Sequence, residues 1–230
     1  MVGSYQQTNR FLSTLSHESR EMLLARSTAV SVPAEMVLHE GNEPPLYGWL
    51  LTSGLASTVA TTSRGETTAV GRTGNEGVVG CFHLLGRARM PTRCSMQLPG
   101  TAFRVPFSAL QQAFWSSPEI RARLLELMQA QVATLQLSAA CHLQHEAQPR
   151  LASYLLMLED CTQQNLLNLT QESIASTLGT TRSTVSLIAT DFQRGGLITY
   201  SRGQVRIVDR ERLIAAACDC YLIHRGLQLA

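Results

Sequence analysis

The stretch Leu169-Thr-Gln-Glu-Ser-Ile-Ala-Ser-Thr-Leu-Gly-Thr-Thr-Arg-Ser-Thr-Val-Ser-Leu-Ile-Ala-Thr-Asp-Phe-Gln-Arg194 decides how the rest of this chain is read. Thr170 stands where an N-cap is needed and Glu172 follows in the first turn, so a helix begins here. Ile174, Ala175 and Leu178 fall on its inner side. Gly179 offers a backbone angle that a side chain would oppose. A second helix then starts near Thr181, with Val185, Ile188 and Phe192 inward. Two short helices crossing at a glycine turn form a helix-turn-helix. Ala175 is small because the second helix passes over it, and Val185 and Ile188 fill the angle between the two. The alternative is an ordinary helix pair, but four positions with separate steric reasons favour the helix-turn-helix.

The downstream flank strengthens that reading. Gly195-Gly196 stops the second helix, Leu197–Tyr200 reads as a strand, Ser201–Gln204 as a turn and Val205–Val208 as a return strand. Such a hairpin is a wing. Over residues 180–212, six arginines stand against Asp191, Asp209 and Glu211, whereas residues 1–161 balance 12 arginines with 12 acids. Arginine beside phosphate neutralises charge and releases counterions, and it can donate two bonds to a guanine edge. The expected contacts to double-stranded DNA are therefore Gln171, Thr180, Thr181, Arg182, Ser183, Ser186, Arg202 and Arg206.

Upstream, Ser116-Ser117-Pro118-Glu119 is a helix start, with no breaker until Pro149. About 30 residues at 1.5 Å rise make a rod of roughly 45 Å. Leu125, Met128, Val132, Leu135, Ala139 and His142 recur at helical spacing, and between 124 and 144 the only formal charge is Glu126. So neutral a helix cannot face water all round. One side is expected against the chain's own core. The other, carrying Leu125, Met128, Val132, Leu135 and Ala139, is expected against a second copy, making a homodimer. A central core helix in a monomer is the alternative. Pro149 is expected to end this helix, with a further amphipathic helix over Arg150–Asp160.

Residues 9–26 read as one short amphipathic helix. From about 28 to 110, short apolar runs lie between Gly and Pro breakers: Ala29–Val32, Met36–Leu38, Trp49–Leu51, Leu55–Ala60, Thr67–Gly71, Cys94–Leu98 and Ala102–Val105. Strands so spaced indicate an antiparallel barrel or sandwich. The fold class expected is α+β: an antiparallel β-roll over 1–115, a dimerisation helix over 116–147 and a winged helix-turn-helix over 148–230.

Composition narrows the chemistry. The 230 residues are 44% hydrophobic and 16% charged, enough apolar material for a core. All 19 basic residues are arginine. Without lysine there is no P-loop lysine, no Schiff base with pyridoxal phosphate and no amine nucleophile. The first residues carry neither a basic n-region nor an apolar h-region, and no stretch reads as a membrane span. A cytoplasmic protein with reduced thiols and no membrane partner is expected.

Barrel, long neutral helix and winged helix-turn-helix, in that order, resemble the Crp/Fnr family of bacterial transcription regulators. Glu40-Gly41-Asn42-Glu43 with Leu46–Gly54, and Val70-Gly71 with Gly74–Gly80, look like the family's barrel elements. Arg182-Ser183-Thr184-Val185 looks like its Arg-x-Thr-Val at the start of the recognition helix. The resemblance implies a homodimer on a two-fold-symmetric operator, with the barrel sensing a small molecule. Cyclic-nucleotide members carry Gly-Glu for the ribose and a later Arg for the phosphate. The matching residues here are Gly80-Cys81-Phe82 and Arg93-Cys94, a candidate effector pocket whose thiol is a poor acceptor for ribose hydroxyls. The oxygen-sensing members' N-terminal cysteine cluster is missing before Cys81, and Ser183 and Leu187 replace residues that cAMP-responsive relatives use on DNA. Cofactor and effector are left unassigned.

The sequence leaves three other readings open. A ligand-binding module with a vestigial helix-turn-helix is the second. Metal or redox sensing by Cys141, His142 and His145, with Cys218 and Cys220, is another, though a helix terminus with buried thiols explains the same residues, and no metal ligand is assigned. A cupin-type enzyme would need clustered histidines, and His39 and His83 are isolated, so the chain is read as a non-enzyme.

Overall fold

The computed structural model describes residues 9–65, 67–86, 89–162 and 164–229. The chain divides into two compact units, one built mainly from residues up to Gln131 and the other from Val132 onward.

The first unit holds the strands β1 (Thr28–Val32), β2 (Val37–His39), β3 (Tyr47–Leu51), β4 (Leu55–Thr61), β5 (Thr67–Thr73), β6 (Val78–Val79), β7 (Thr92–Leu98) and β8 (Gly100–Pro106). They form two four-stranded sheets, ordered β1-β8-β3-β6 and β2-β7-β4-β5. The registers are antiparallel, as in Trp49 opposite Arg104 and Ala56 opposite Met96. Strand β3 shows why a barrel forms. Trp49 and Leu51 pack between the sheets with Leu38, Ala56, Cys94, Met96 and Ala102. Leu50, pointing the opposite way, packs under helices with Val105, Leu110, Phe114, Ile120 and Leu124. A strand buried on both faces reads as an unbroken apolar run, as Trp49-Leu50-Leu51 does.

Those helices are α1 (Arg10–Ser13), α2 (His17–Leu24), α3 (Phe107–Ser116) and α4 (Pro118–Gln144). The single helix expected over 9–26 is thus two. Ser16 restarts the chain as the N-cap of α2, with its Oγ accepting from Ser19 N–H. The Glu119 carboxylate accepts from Ser16 N–H and Oγ–H, both at 2.7 Å, and from Ser19 Oγ–H at 2.5 Å. These donors hold Glu119 down at about 2, well below the ordinary carboxylate range. Helix α3 falls within the stretch that reads as strands and turns: Pro106, a breaker in the sequence pattern, serves as the residue before the first helical turn.

Helix α4 starts as expected, with Ile120 N–H donated to Ser117 Oγ. Its end differs from the expected stop at Pro149. The proline ring would clash with the carbonyl of residue 145, so the break falls one turn earlier, after Gln144. Pro149 itself lies in the first turn of α5 (Ala147–Thr162), where a missing N–H costs nothing.

The second unit continues with β9 (Leu166–Asn168), α6 (Gln171–Leu178), α7 (Arg182–Arg194), β10 (Ile198–Ser201), β11 (Gln204–Ile207), α8 (Arg210–Ala216) and α9 (Cys220–Leu229). Leu151, Tyr154, Leu155 and Leu158 of α5 are buried at its centre. Arg210 ties α8 to α5 and α9, pairing with Glu159 and, at 2.7 Å each, donating to Asp160 and the Tyr221 hydroxyl. Among the described residues, no helix is long and apolar enough to cross a membrane.

Candidate nucleic-acid interface

The helix-turn-helix is assembled residue by residue as its sequence demands. Thr170 Oγ1 accepts from Ser173 N–H at 3.0 Å and caps α6. Gly179 closes α6 in the left-handed region at φ 57°, and Thr180 N–H returns to the Ala175 carbonyl at 3.0 Å. Thr181 caps α7 by accepting from Thr184 N–H at 3.2 Å. Ile174, Ala175 and Leu178 of α6 and Val185, Ile188 and Phe192 of α7 are all buried. Arg150 of α5 donates to the Leu178 carbonyl at 3.0 Å, placing a cation at the C-terminal end of α6.

What remains outward on α7 is its amino end. Thr181, Arg182 and Ser183 are exposed, Thr180 and Ser186 are half-buried, and Gln171 lies half-buried at the first position of α6. Leu187 follows one turn after Ser183 and is 70% exposed. A free helix amino end presents unpaired N–H groups and a positive dipole, which favour an anion. The Thr181 hydroxyl lies 2.8 Å from those of Ser183 and Thr184, giving a hydroxyl cluster on the residues that flank Arg182 in the chain.

The wing is a three-stranded sheet, β10-β11-β9, one strand larger than the expected hairpin. Arg202 and Gly203 form its tight turn at φ 48° and 76°. Two bonds fix the wing to the helix-turn-helix. Tyr200 N–H donates to Gln193 Oε1 at 2.9 Å, and Tyr200 hydroxyl donates to the Leu169 carbonyl at 3.1 Å. Burial pushes the Tyr200 phenol up, so it stays protonated as that donor. Arg202 and Arg206 are both exposed, though Arg206 also donates to Asn165 Oδ1 at 3.4 Å.

The candidate dimer residues on α4 separate into two groups. Leu125, Val132 and Leu135 are 43%, 43% and 38% exposed, and Ala139 is exposed with them. Met128 is a correction: at 3% exposure it belongs to the first unit's own core, with Leu124 and Ile120. The exposed row also includes Leu143, four residues beyond Ala139.

The candidate effector residues do not converge. Along β7, alternation sends Cys94 into the barrel and Arg93 out to solvent, where its Nε lies 3.2 Å from Glu40 Oε2. Cys81 lies on the helix side, 3.6 Å from Gln131 Oε1, with Phe82 packed beside it and Gly80 capping the short turn at φ 89°. Burial pushes the Cys81 thiol up to about 12 and the Cys94 thiol to about 11, so both are neutral. In this structure Arg93 and Cys94 face opposite sides of β7, and Cys81 and Cys94 pack in different clusters, so these five residues are not gathered around one point.

With that geometry, likeness to known proteins is informative. Residues 149–216 match the model of the Crp-like helix-turn-helix domain. The chain is 29% identical over 120 residues to the transcriptional activator protein anr of Pseudomonas aeruginosa. That match covers 49% of this chain and 49% of the relative, so the chain spans about half the length of the curated relative it matches. A crp/fnr-family transcriptional regulator from Eubacterium rectale superposes with TM-score 0.70 at 20% identity, over 95% of this chain and 97% of that one. The c-di-GMP responsive global regulator CLP of Xanthomonas campestris gives TM-score 0.68 at 17% identity, over 84% and 100%. FixK2 of Bradyrhizobium japonicum gives 0.65 at 19%, over 84% and 98%. At such identities the structures speak to the fold, and the domain match speaks to the last third of the sequence. Together they show a Crp-like helix-turn-helix domain at residues 149–216, within a chain whose fold is similar to that of crp/fnr-family structures.

Proposed function

We propose that the chain is a homodimeric transcription regulator that binds double-stranded DNA through α7 and the wing. The observation that carries this reading is the open amino end of α7, where Thr181, Arg182 and Ser183 face solvent on a capped, rigid helix. Arg182 reads a base edge, and Thr180, Thr181, Ser183, Ser186 and Gln171 hold phosphates and set the depth of the helix in the groove. Leu187 packs on a thymine methyl, which gives a reason for an exposed leucine there. Arg202 and Arg206 lie along the neighbouring phosphates.

Residues 1–115 act as the sensor, 116–147 as the dimerisation helix and 148–230 as the DNA reader, in the cytoplasm. An effector in the β-roll would act by biasing α4 and hence the spacing of two α7 helices. With Arg93 paired to Glu40, an anionic effector in the β-roll would have to draw its guanidinium away from that carboxylate.

Arg182→Ala tests the reader directly. Its expected cost is about 1–3 kcal/mol of specific binding, with preference relaxed at one base position. Arg202→Ala, by contrast, is expected to weaken all sequences alike and lower the salt slope by about 1. Fluorescence anisotropy against matched and single-substituted duplexes separates the two patterns. Unchanged affinity and unchanged base preference in Arg182→Ala would remove Arg182 from the reader.

A further inference from the structure

Cys141, His145, Cys218 and Cys220 bring three thiols and an imidazole together, with all four ligand atoms within 4.8 Å of one another. Cys141 lies in the last turn of α4. His145 follows just beyond, its N–H donated to the Cys141 carbonyl at 3.0 Å. Cys218 stands between α8 and α9, and Cys220 opens α9. The Cys141 and Cys218 sulfurs are 3.6 Å apart, and Cys220 Sγ is 3.6 Å from His145 Nδ1. All three thiols are buried, with Leu137 packed against them.

We propose that these four side chains form a tetrahedral Cys3His site for zinc. Zinc bound at about 2.3 Å to sulfur and about 2.0 Å to nitrogen needs sulfur–sulfur edges of about 3.8 Å and sulfur–nitrogen edges of about 3.5 Å. The two spacings above are already near those lengths. A disulfide between Cys141 and Cys218 would need its sulfurs at about 2.05 Å and would leave Cys220 and His145 without a role. The surroundings suit a metal as well. His145 turns Nδ1 toward Cys220, and its Nε2 lies 3.6 Å from Asp219 Oδ1, so a carboxylate stands on the ring edge opposite the proposed ligand atom. The Ser153 hydroxyl, which donates to the Pro149 carbonyl at 3.0 Å, lies 3.1 Å from Cys218 Sγ and could turn its proton to a thiolate there. Three sulfur donors select against magnesium and calcium, and four protein ligands fill the tetrahedron, as in a structural rather than a catalytic site.

Binding forms three sulfur–zinc bonds and one nitrogen–zinc bond, and releases three thiol protons to solvent without oxidation or reduction. The ion would tie the carboxyl end of α4 to the start of α9. The i, i+3 spacing in the sequence pairs His142 with His145. The His142 side chain is exposed, with Nδ1 2.7 Å from the Ser138 carbonyl, and takes no part.

The test uses the full chain, free of any affinity tag and kept reduced. Elemental analysis is expected to find about one zinc per chain. Replacement by cobalt is expected to give the intense visible bands of a tetrahedral ion with thiolate-to-cobalt charge transfer. Cys220→Ser and His145→Ala are expected to bring metal content near zero, and His142→Ala and Cys161→Ser to leave it intact. The cobalt spectrum is read on the unaltered chain, so a variant that fails to fold does not decide the outcome. No stoichiometric metal after incubation with zinc, an octahedral cobalt spectrum, or equal loss in His142→Ala would each overturn the site.

Discussion

A chain carrying both Val132→Glu and Leu135→Glu is expected to sediment at its protomer mass of 25.2 kDa, where the parent sediments at about twice that. Its affinity for DNA is expected to fall about 1000-fold. Both side chains are substantially exposed on the isolated protomer, so the substitutions leave its own core intact. In a two-fold interface each new carboxylate would be buried, and each would face apolar groups or its own symmetry mate. The loss on DNA follows from linkage: once one protomer is bound, its tethered partner meets the second half-site at high effective concentration, and separation removes that gain. Met128→Glu is the contrasting variant. It places a charge in the first unit's core and unfolds that unit rather than splitting a dimer. Analytical ultracentrifugation with unchanged far-ultraviolet circular dichroism checks the first variant. A doubled mass that persists in the double glutamate chain would place the dimer contact elsewhere.

The second large effect belongs to Gly100. A Cβ built there would sit 2.1 Å from the Ser53 carbonyl oxygen and 2.7 Å from Gly54 N. The neighbours are backbone atoms, and they are stitched in place. Thr52 N–H donates to the Thr101 carbonyl at 2.8 Å, Thr101 N–H donates to Ser53 Oγ at 3.0 Å, and the Thr52 and Thr101 hydroxyls lie 2.6 Å apart. Relief of the clash therefore requires separating the β3–β4 and β7–β8 turns. Gly100→Ala is expected to cost the first unit about 3 kcal/mol. Gly86→Ala, where an added Cβ meets nothing within 4 Å, is expected to stay within about 0.5 kcal/mol. Trp49 and Trp115 are the two tryptophans and both belong to this unit, so fluorescence during urea unfolding reports it selectively. A parent-like midpoint for Gly100→Ala would mean that the two turns do not approach each other in this way.

Local signals were legible and distant ones were not. The helix-turn-helix could be read because Thr170, Gly179 and Thr181 act on neighbours within a turn, and caps and glycine geometry do not depend on the rest of the fold. The two-residue strand β6 and the three-residue β9 carry too few side chains for any period to appear. The outward face of Arg93 was in principle legible, since Cys94, Met96 and Leu98 alternate with Arg93, Ser95 and Gln97 along β7. Family resemblance grouped Arg93 with Cys94 and obscured that parity. Met128 shares a helical stripe with Val132 and Leu135, and only the position of the barrel decides that it turns to the core. The thiol cluster is tertiary: 77 residues separate Cys141 from Cys218, and their pairing follows from how α9 returns across α4 and α5.

In the proposed role, the amino end of α7 would be presented twice by a symmetric pair, and gene control would follow from that. Repeated selection of random duplexes by the purified, reduced chain, with footprinting of the enriched sequences, measures it most directly. The account predicts one inverted repeat whose half-site centres lie about 34 Å apart along the duplex, protected on one face. Recovery of unrelated sequences with no two-fold symmetry, or protection of a single short half-site, would contradict it.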